Sequence, residues 1–444
     1  MSRTSAGVLP CATGPEELFC QYAKQPYCVW LDTATTGQGI SILAVRPRLI
    51  FRARGRRIEL LSSQSEEQFE ADPFTALAEQ ITRHCSDSTR GAAIGYFGYG
   101  LKNCIERLPS SAADDIGLPD CWFGFYDDLQ VFDHIADEVR QKADSESSKL
   151  RRSISPLRSN FSRDAYYRAV LHAKEYIAAG DIYQVNLSQR FQCEVDAPPQ
   201  ELYSALRVAN PAPYCAYLDI GEAQILSTSP ECFLRMDGRS IVTRPIKGTR
   251  PRGTTAVEDE RQARELLASP KDNAELVMIT DLERNDIGKV CEFGSVHVSE
   301  LVRVESYATV HHLVSTIGGT LRPDVSHVDC VRACFPGGSI TGAPKIRAME
   351  IIDELEQHAR GVYTGAIGYF GFNGLSQFNV AIRTSVYQSR TCLAEVPRLR
   401  DEGGRLTFHA GGGIVADSEP EAEYAETLDK AEGIIRGLNQ LRLR

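Results

Sequence analysis

Two pairs of carboxylates stand three residues apart in stretches that read as helices: Asp272 and Glu275 in Lys271-Asp-Asn-Ala-Glu275, and Glu423 and Glu426 in Glu421-Ala-Glu-Tyr-Ala-Glu426. Side chains three apart share a helix face, where like charges repel by roughly a few tenths of a kcal/mol unless a cation relieves them. Oxygen-only ligands, with no Cys or His close by in sequence, suit Mg²⁺ better than zinc. On spacing alone, solvated surface acids remain the simpler reading, and Ser418-x-x-Glu421 is also the pattern of a capping box. Two glycine-rich loops could take an anion. Pro336-Gly-Gly-Ser-Ile-Thr-Gly-Ala-Pro344 runs into a helix whose first turn Pro344 suits, and His409-Ala-Gly-Gly-Gly413 lets backbone approach a ligand closely. With Arg383 and Lys430, the latter on the same helix face as Glu423, these features suggest a small polycarboxylate held partly by Mg²⁺. Nucleotide motifs fail on inspection. Lys345 lies three residues after Gly342 with Pro344 between, so the loop is no P-loop, and Gly95-Tyr-Phe-Gly98-Tyr-Gly100 lacks dinucleotide spacing.

The elements that must position these groups are legible in part. Tyr27–Leu31, Ile40–Val45 and Ala92–Phe97 are short apolar runs bounded by Gly, Pro and Asp, as strands are. Further strands are expected at Ile182–Phe191, Ala223–Ser227, Ala366–Phe370 and Phe378–Thr384. Helices are expected at Arg163 to about Ala179 behind a Ser162 cap, and near Asp259–Leu267, Asp272–Arg284, Lys345–Gln357 and Glu421–Leu438. The pattern is mixed α/β (α+β), without the regular β-α-β alternation of a barrel or doubly wound sheet. His134–Asn160 is polar and charged, reads as a linker or long surface loop, and divides residues 1–145 from 160–444.

Bulk composition sets limits. The chain has 444 residues, 42% apolar, and a net charge of −10, without the basic stripe that a phosphate backbone requires, so nucleic acid is not an expected partner. No stretch has the length and apolarity of a membrane span, and the first thirty residues lack a leader pattern; no membrane partner and a cytoplasmic location are expected. Thirteen cysteines without repeated spacing read as reduced structural thiols.

The motifs Pro-Ile-Lys-Gly-Thr-Arg-Pro-Arg-Gly253, Lys-Asp-Asn-Ala-Glu275, Thr-Asp-Leu-Glu-Arg-Asn-Asp286, His312-Leu-Val-Ser-Thr316, Gly-Ser-Ile-Thr-Gly-Ala-Pro-Lys345, Tyr-Thr-Gly-Ala-Ile-Gly368 and Ala-Glu-Thr-Leu-Asp-Lys430 resemble, in this order, those of the chorismate-utilising enzymes. That family includes anthranilate, aminodeoxychorismate, isochorismate and salicylate synthases. The likeness is dense over 160–444, which would be the chorismate-binding catalytic domain, and looser over 20–130, within the N-terminal region of the same fold. It implies the anthranilate synthase component I-like fold, two facing β-sheets with helices outside, and a buried Mg²⁺-dependent chorismate site. Carried over motif by motif, Asp272, Glu275, Glu423 and Glu426 would surround the metal. Arg383, Tyr363, Lys430 and the amides of Gly411, Gly412 and Gly413 would grip the enolpyruvyl carboxylate, and Thr249, His312 and Ser339 would line the site. Glu231, in Ser229-Pro-Glu231, matches the general acid that protonates the departing C4 hydroxyl.

Two positions sort the family. Isochorismate and salicylate synthases resemble one another in a lysine base where this chain has Gln184, and an amide cannot deprotonate water. Anthranilate synthases share Gln184 but carry Ala at the position of Lys247. The pattern resembles the aminodeoxychorismate synthases, whose component I acts in 4-aminobenzoate and folate biosynthesis, with Lys247 as an amine nucleophile if its pKa is lowered. No Gly-x-Cys-x-Gly nucleophile elbow is present, so ammonia is expected from a separate glutamine amidotransferase subunit. Asp32, Thr33, Ser41 and Asn210-Pro211-Ala-Pro-Tyr214 align with segments lining the tryptophan pocket of anthranilate synthases. Asp32-Thr33 stands in place of Glu-Ser there, which argues for a buried junction rather than regulation.

Overall fold

Alternating apolar segments closed by short polar turns pair here as antiparallel neighbours, and the computed structural model describes them over residues 14–34, 39–87, 90–134, 152–307, 310–390 and 403–443. Among the described residues, one sheet has ten strands. Its path runs Gly342–Ala343, Gln184–Val195, Gly404–Ile414, Thr384–Ser389, Gln224–Ser229, Tyr214–Asp219, Val29–Asp32, Ile40–Ala44, Gln130–Asp133, with Arg158–Ser159 added beside Gln184–Val195. The other has twelve: Ile246–Pro251, Val310–Thr320, Ser240–Arg244, Cys232–Asp237, Leu375–Val380, Ala366–Gly371, Ala92–Phe97, Cys121–Tyr126, Leu49–Arg54, Arg57–Ser62, Glu66–Glu70, with His297–Ser306 beside Val310–Thr320.

The two sheets face each other through one apolar cluster, in which Leu218 and Ile225 of the first meet Ile94, Trp122 and Ile367 of the second. The outer face of the second sheet carries Phe97, Phe123, Phe370 and Phe378, with Phe370 and Phe378 ring centroids 4.7 Å apart, and packs with Phe74, Leu77, Val328 and Val331 of the helices Pro73–Asp87 and His327–Cys334. The outer face of the first is covered by Pro199–Ala209 and the C-terminal helix Pro420–Leu443. Each fully buried aromatic in these layers contributes roughly 1.5–3 kcal/mol of transfer free energy. Both sheets take strands from both sides of the polar stretch 134–160. Of that stretch, residues 135–151 lie outside the described residues. His134 at one end is buried and bonded to Ser41 Oγ at 2.7 Å, while Arg158–Ser159 at the other is a strand, so neither end is linker.

Local expectations hold where caps and breakers are explicit. Ser162 caps Arg163–Ala178 by accepting from Ala165 N, and Ser269 and Thr255 cap Pro270–Gly288 and Ala256–Ala268 in the same way. Three expectations change. Phe378–Thr384 is not one strand: the chain leaves the second sheet at Val380 and enters the first at Thr384 through Ala381-Ile382-Arg383, with Arg383 at φ 49°. Pro344 is the N-cap of Lys345–Leu355 rather than part of its first turn. Ser418 and Glu421 form no capping box, because Ser418 Oγ donates to Glu423 and Glu421 is drawn to Arg163 and Tyr167. The described cysteines are free; Cys11 and Cys392 lie outside the described residues.

Candidate active site

The polypeptide crosses between the sheets at Ser229-Pro230-Glu231 and again at Ala381-Ile382-Arg383, and hydrogen bonds fasten the crossings together. Ser229 Oγ donates to Val380 O (2.6 Å), Val380 N to Glu231 O (3.0 Å), and Thr228 N to Arg383 O (3.1 Å). Glu231 and Arg383 are thereby placed by backbone at the junction of two rigid layers. The Glu231 side chain is 4% exposed, and burial raises its pKa above the ordinary carboxyl value although Ser339 and Lys247 oppose the shift. That is what a general acid near neutral pH requires.

Lys247 lies on Ile246–Pro251, at the edge of the second sheet, where the register slips between Lys247 and Thr249 around Gly248 (φ 69°). Its Nζ donates to Ser339 O at 3.3 Å, and Ser339 Oγ donates to Glu231 Oε1 at 2.6 Å. One residue therefore holds both the amine and the acid. Loss of hydration lowers the Lys247 pKa, with Lys430 adding to the effect and Glu275 and Glu231 working against it.

Gln184 is 1% exposed, and both polar atoms of its amide lack a partner among the described residues. A Cβ at Gly413 would stand 2.2 Å from Gln184 Nε2, so any larger residue there would have to displace this amide. Beyond Phe408, the strand Gly404–Ile414 has Gln184–Val195 on one side and, among the described residues, no strand on the other. Gly411, Gly412 and Gly413 lie on that open edge, and Lys430 Nζ donates to Gly411 O at 2.9 Å. The Pro336–Pro344 loop is used differently from the anion cradle expected. Gly342 and Ala343 pair with Val185 and Gln184, and Lys345 Nζ is committed to Asp286 and Cys334 O.

The predicted carboxylates come together incompletely. Glu423 and Glu426 face the same glycine, since a Cβ at Gly412 would meet Glu426 Oε1 at 3.2 Å and Glu423 Oε2 at 3.3 Å. Glu275 is close enough to Lys247, Lys271 and Glu426 for their charges to act on it, and burial raises its pKa. Asp272 is turned to Arg250 Nη2 at 3.1 Å. Lys430 pairs with Glu426 at 2.7 Å and Lys271 approaches Glu423 at 4.0 Å. Among the described residues, no three His, Cys, Asp or Glu side chains converge as a closed metal cage. Glu423 Oε2 is nevertheless buried without a partner, and burial raises that carboxyl's pKa. An unsatisfied oxygen beside a second carboxylate fits a hard divalent cation better than it fits a finished protein interior.

Arg383 donates to Asn210 Oδ1 (3.1 Å) and has no carboxylate partner among the described residues; burial, then Arg436, lowers its pKa to about 10. It is the clearest candidate for a substrate carboxylate. His312 is 2% exposed, is held near pKa 3 by burial and so is neutral, and its Nδ1 sits 2.9 Å from the hydroxyl of exposed Thr249. Tyr363 stacks on His409, with centroids 5.0 Å apart, two residues before Gly411 on the same strand. The residues that sequence reasoning missed are Asn186, whose Nδ2 donates to Ser339 O at 3.0 Å, and the Arg250 and Lys271 cations beside the acids. Asn186 alternates with Gln184 on one strand face, a period-two signal that was available.

The six aligned pocket residues divide. Asp32, Thr33, Pro211 and Tyr214 line a cavity of about 900 Å³ between the sheets, together with Arg235, Arg244 and Arg303. Ser41 lies beneath it, donating to Asp32 Oδ1 at 2.7 Å, and Arg207 pairs with Asp32. Asn210 belongs instead to the Arg383 junction, donating to Thr228 Oγ1 at 2.8 Å.

With sheets, crossings and site in place, comparison with known proteins defines the class. Residues 26–436 match the family described as chorismate binding enzyme, and the chain belongs to that family. It is 40% identical to anthranilate synthase component 1 of Thermus thermophilus, over 94% of this chain and 93% of that one. It is 39% identical to aminodeoxychorismate synthase component 1 of Escherichia coli, over 96% of both. Among solved structures, anthranilate synthase component I from Streptococcus pneumoniae superposes with a TM-score of 0.76 at 31% identity, covering 98% of this chain and all of that chain. The protein is thus a chorismate-utilising enzyme of the anthranilate synthase I and aminodeoxychorismate synthase type, with the two-sheet fold expected of it. No described helix is long and apolar enough to cross a membrane.

Proposed function

We propose that the chain is the chorismate-binding component of an aminodeoxychorismate synthase, which converts chorismate and ammonia to 4-amino-4-deoxychorismate for 4-aminobenzoate and folate synthesis. The observation that carries this reading is the sharing of Ser339 by Lys247 Nζ (3.3 Å) and Glu231 Oε1 (2.6 Å). An alanine at residue 247 would leave the acid without an opposed nucleophile. Relatives named for either synthase stand at 40% and 39% identity, so the choice rests on residue 247 and not on overall similarity.

In the mechanism we favour, the neutral Lys247 amine attacks ring C2. The ring double bonds shift, the C4–O bond breaks, and Glu231 delivers the proton with which water leaves. The Lys247 nitrogen sheds its extra proton. Ammonia then adds at C4, the double bonds shift back, and Lys247 departs from C2 with a proton regained. The sum is chorismate plus ammonia giving 4-amino-4-deoxychorismate plus water, with the enolpyruvyl group untouched. Gln184 cannot activate water, which keeps hydration from competing. Glu275, Glu423 and Glu426, with Asp272 beside them, would hold Mg²⁺, which supplies positive charge to the ring carboxylate. Arg383, Lys430 and the open edge at Gly411–Gly413 would take the enolpyruvyl carboxylate, and Tyr363, His312 and Thr249 would bound the site. Ammonia would come from a separate glutamine amidotransferase subunit, in keeping with the component 1 names of the relatives.

The test is incubation of the purified chain with chorismate, Mg²⁺ and ammonium, with products separated by chromatography. 4-Amino-4-deoxychorismate is the expected product. Fluorescent anthranilate as the main product would overturn the assignment in favour of anthranilate synthase component I, and no product under any condition would favour a silent chorismate-binding subunit. Intact-mass analysis with a slow substrate analogue should reveal an adduct at Lys247.

A further inference from the structure

Glu356 and Arg360 form an ion pair sealed between the sheets, with side chains 4% and 2% exposed. Glu356 ends the helix Lys345–Leu355, and Arg360 follows one turn later in the loop that carries Tyr363. The pair is two-pronged: Arg360 Nε donates to Glu356 Oε2 (2.8 Å) and Nη2 to Oε1 (2.7 Å). Withdrawing two charges from water is expensive, and apolar residues of the same volume commonly give equal or greater stability. Stability alone does not explain this pair.

The remaining hydrogen bonds of Arg360 reach the segments that build the site. Nη1 donates to Ile340 O (3.1 Å), the peptide that follows Ser339, and Nη2 to Asn186 O (2.9 Å). Asn186 in turn donates its side-chain amide to Ser339 O (3.0 Å), the carbonyl that Lys247 also uses. Nη1 also reaches Thr364 Oγ1 (3.3 Å), and the guanidinium lies over the rings of Tyr99 (4.9 Å) and Tyr363 (5.6 Å). Glu356 Oε1 accepts from both N and Oγ of Ser188, the residue paired with Gly411 across the sheet.

We infer that Arg360, anchored by Glu356, is a positioning residue: it fixes the Ser339 turn against the Gln184–Val195 strand and so aligns Lys247 with Glu231. A planar fork with five donors in fixed directions spans partners on separate segments while gripping a carboxylate with two prongs, a geometry that the single nitrogen of an ammonium cannot reproduce. The inference rests on reading Lys247 and Glu231 as the reacting pair.

The experiment follows chorismate consumption in Arg360→Lys, whatever the product. It also measures thermal unfolding, KM, and the same substitution in a Ser339→Ala background. Expected are a cooperative unfolding transition, KM within about threefold of the parent, and kcat lowered roughly 10- to 100-fold, as misplacement by a fraction of an ångström to an ångström would produce. In the Ser339→Ala background the turn no longer reaches Glu231, although its carbonyl still meets Lys247, so Arg360→Lys should cost at least about threefold less than it does in the parent. Full additivity with Ser339→Ala, or a lowered melting temperature with unchanged kcat, would overturn the inference and leave the pair a purely structural element. Should Arg360→Lys fail to fold, the neutral pair Arg360→Gln with Glu356→Gln removes both charges and the fork, and the same loss of kcat and the same coupling are expected. Lys247→Ala is assayed alongside with its products separated: if it still forms 4-amino-4-deoxychorismate at the parent rate, the reading of the reacting pair fails, independently of the result at residue 360.

Discussion

Two sides of the same crevice are finished to different degrees. On the Lys247 and Glu231 side both side chains already have a partner supplied by the fold, because Ser339 accepts from one and donates to the other. On the Glu423 and Glu426 side, helix-borne carboxylates borrow lysines for company and leave one buried oxygen with none. Backbone crossings and strand edges fix positions to within tenths of an ångström, whereas long acids on helices are brought together by whatever charge is available. The first side is preorganised by covalent geometry. The second leaves one buried carboxylate oxygen for a ligand to satisfy.

The largest effect that would sharpen this contrast is at residue 247. Lys247→Ala should lower 4-amino-4-deoxychorismate formation on the order of 10³-fold or more and let anthranilate emerge, read by product chromatography; undiminished formation of the 4-amino product would break it. Glu231→Gln keeps the shape and the Ser339 contact but cannot give a proton, so kcat should fall about 10²- to 10⁴-fold with chorismate binding retained. On the other side, Glu423→Gln should act chiefly on the cation, raising the Mg²⁺ concentration for half-maximal activity about tenfold or more while saturating Mg²⁺ restores much of the rate. An equal loss at every Mg²⁺ concentration would mean that Glu423 serves some other end.

The smallest effect concerns stability. Glu283 is buried on Pro270–Gly288, accepts from Thr243 Oγ1 at 2.6 Å, and is pushed by burial to about pKa 8, with Glu231 and Asp286 adding to the rise and Lys345 opposing it. A carboxyl that binds its proton more tightly folded than unfolded contributes most below its unfolded pKa of about 4.3. That contribution is lost as pH rises toward 8, by at most about 1.4 kcal/mol per unit. Glu283→Gln removes the loss, so the melting temperature of the variant relative to the parent should climb between pH 5 and pH 8. A pH-independent difference would show that Glu283 does not stay protonated.

Sequence alone went far where one residue type does one job. Ser162 announces its helix, Ala92–Phe97 is bounded by glycine and turns out a strand over those same residues, and Lys247 and Glu231 stand in motifs distinctive enough to name. It failed where the structure uses an ordinary residue in an unusual place. Arg383 turns the chain between sheets at positive φ with no glycine to mark the bend, so Phe378–Thr384 looked like a single strand. Glu356 and Arg360, four apart, look like any surface pair until burial reveals four further hydrogen-bonding partners, Ser188, Asn186, Ile340 and Thr364. Ser418 carries the letters of a cap but spends its hydroxyl on Glu423, a contact that depends on how the helix Pro420–Leu443 lies against the first sheet. Such facts are tertiary, and no local window contains them.

The fastened crossings at Glu231 and Arg383 have a mechanical consequence. Two stacked sheets joined only by side chains can slide or tilt over each other at little cost, but here the backbone passes from one to the other twice at one point and is hydrogen-bonded to itself there. The 900 Å³ cavity adjoins that point, because Tyr214, paired with Ser229, and Asn379, next to Val380, both line it, so the acid and the cavity wall share one backbone support.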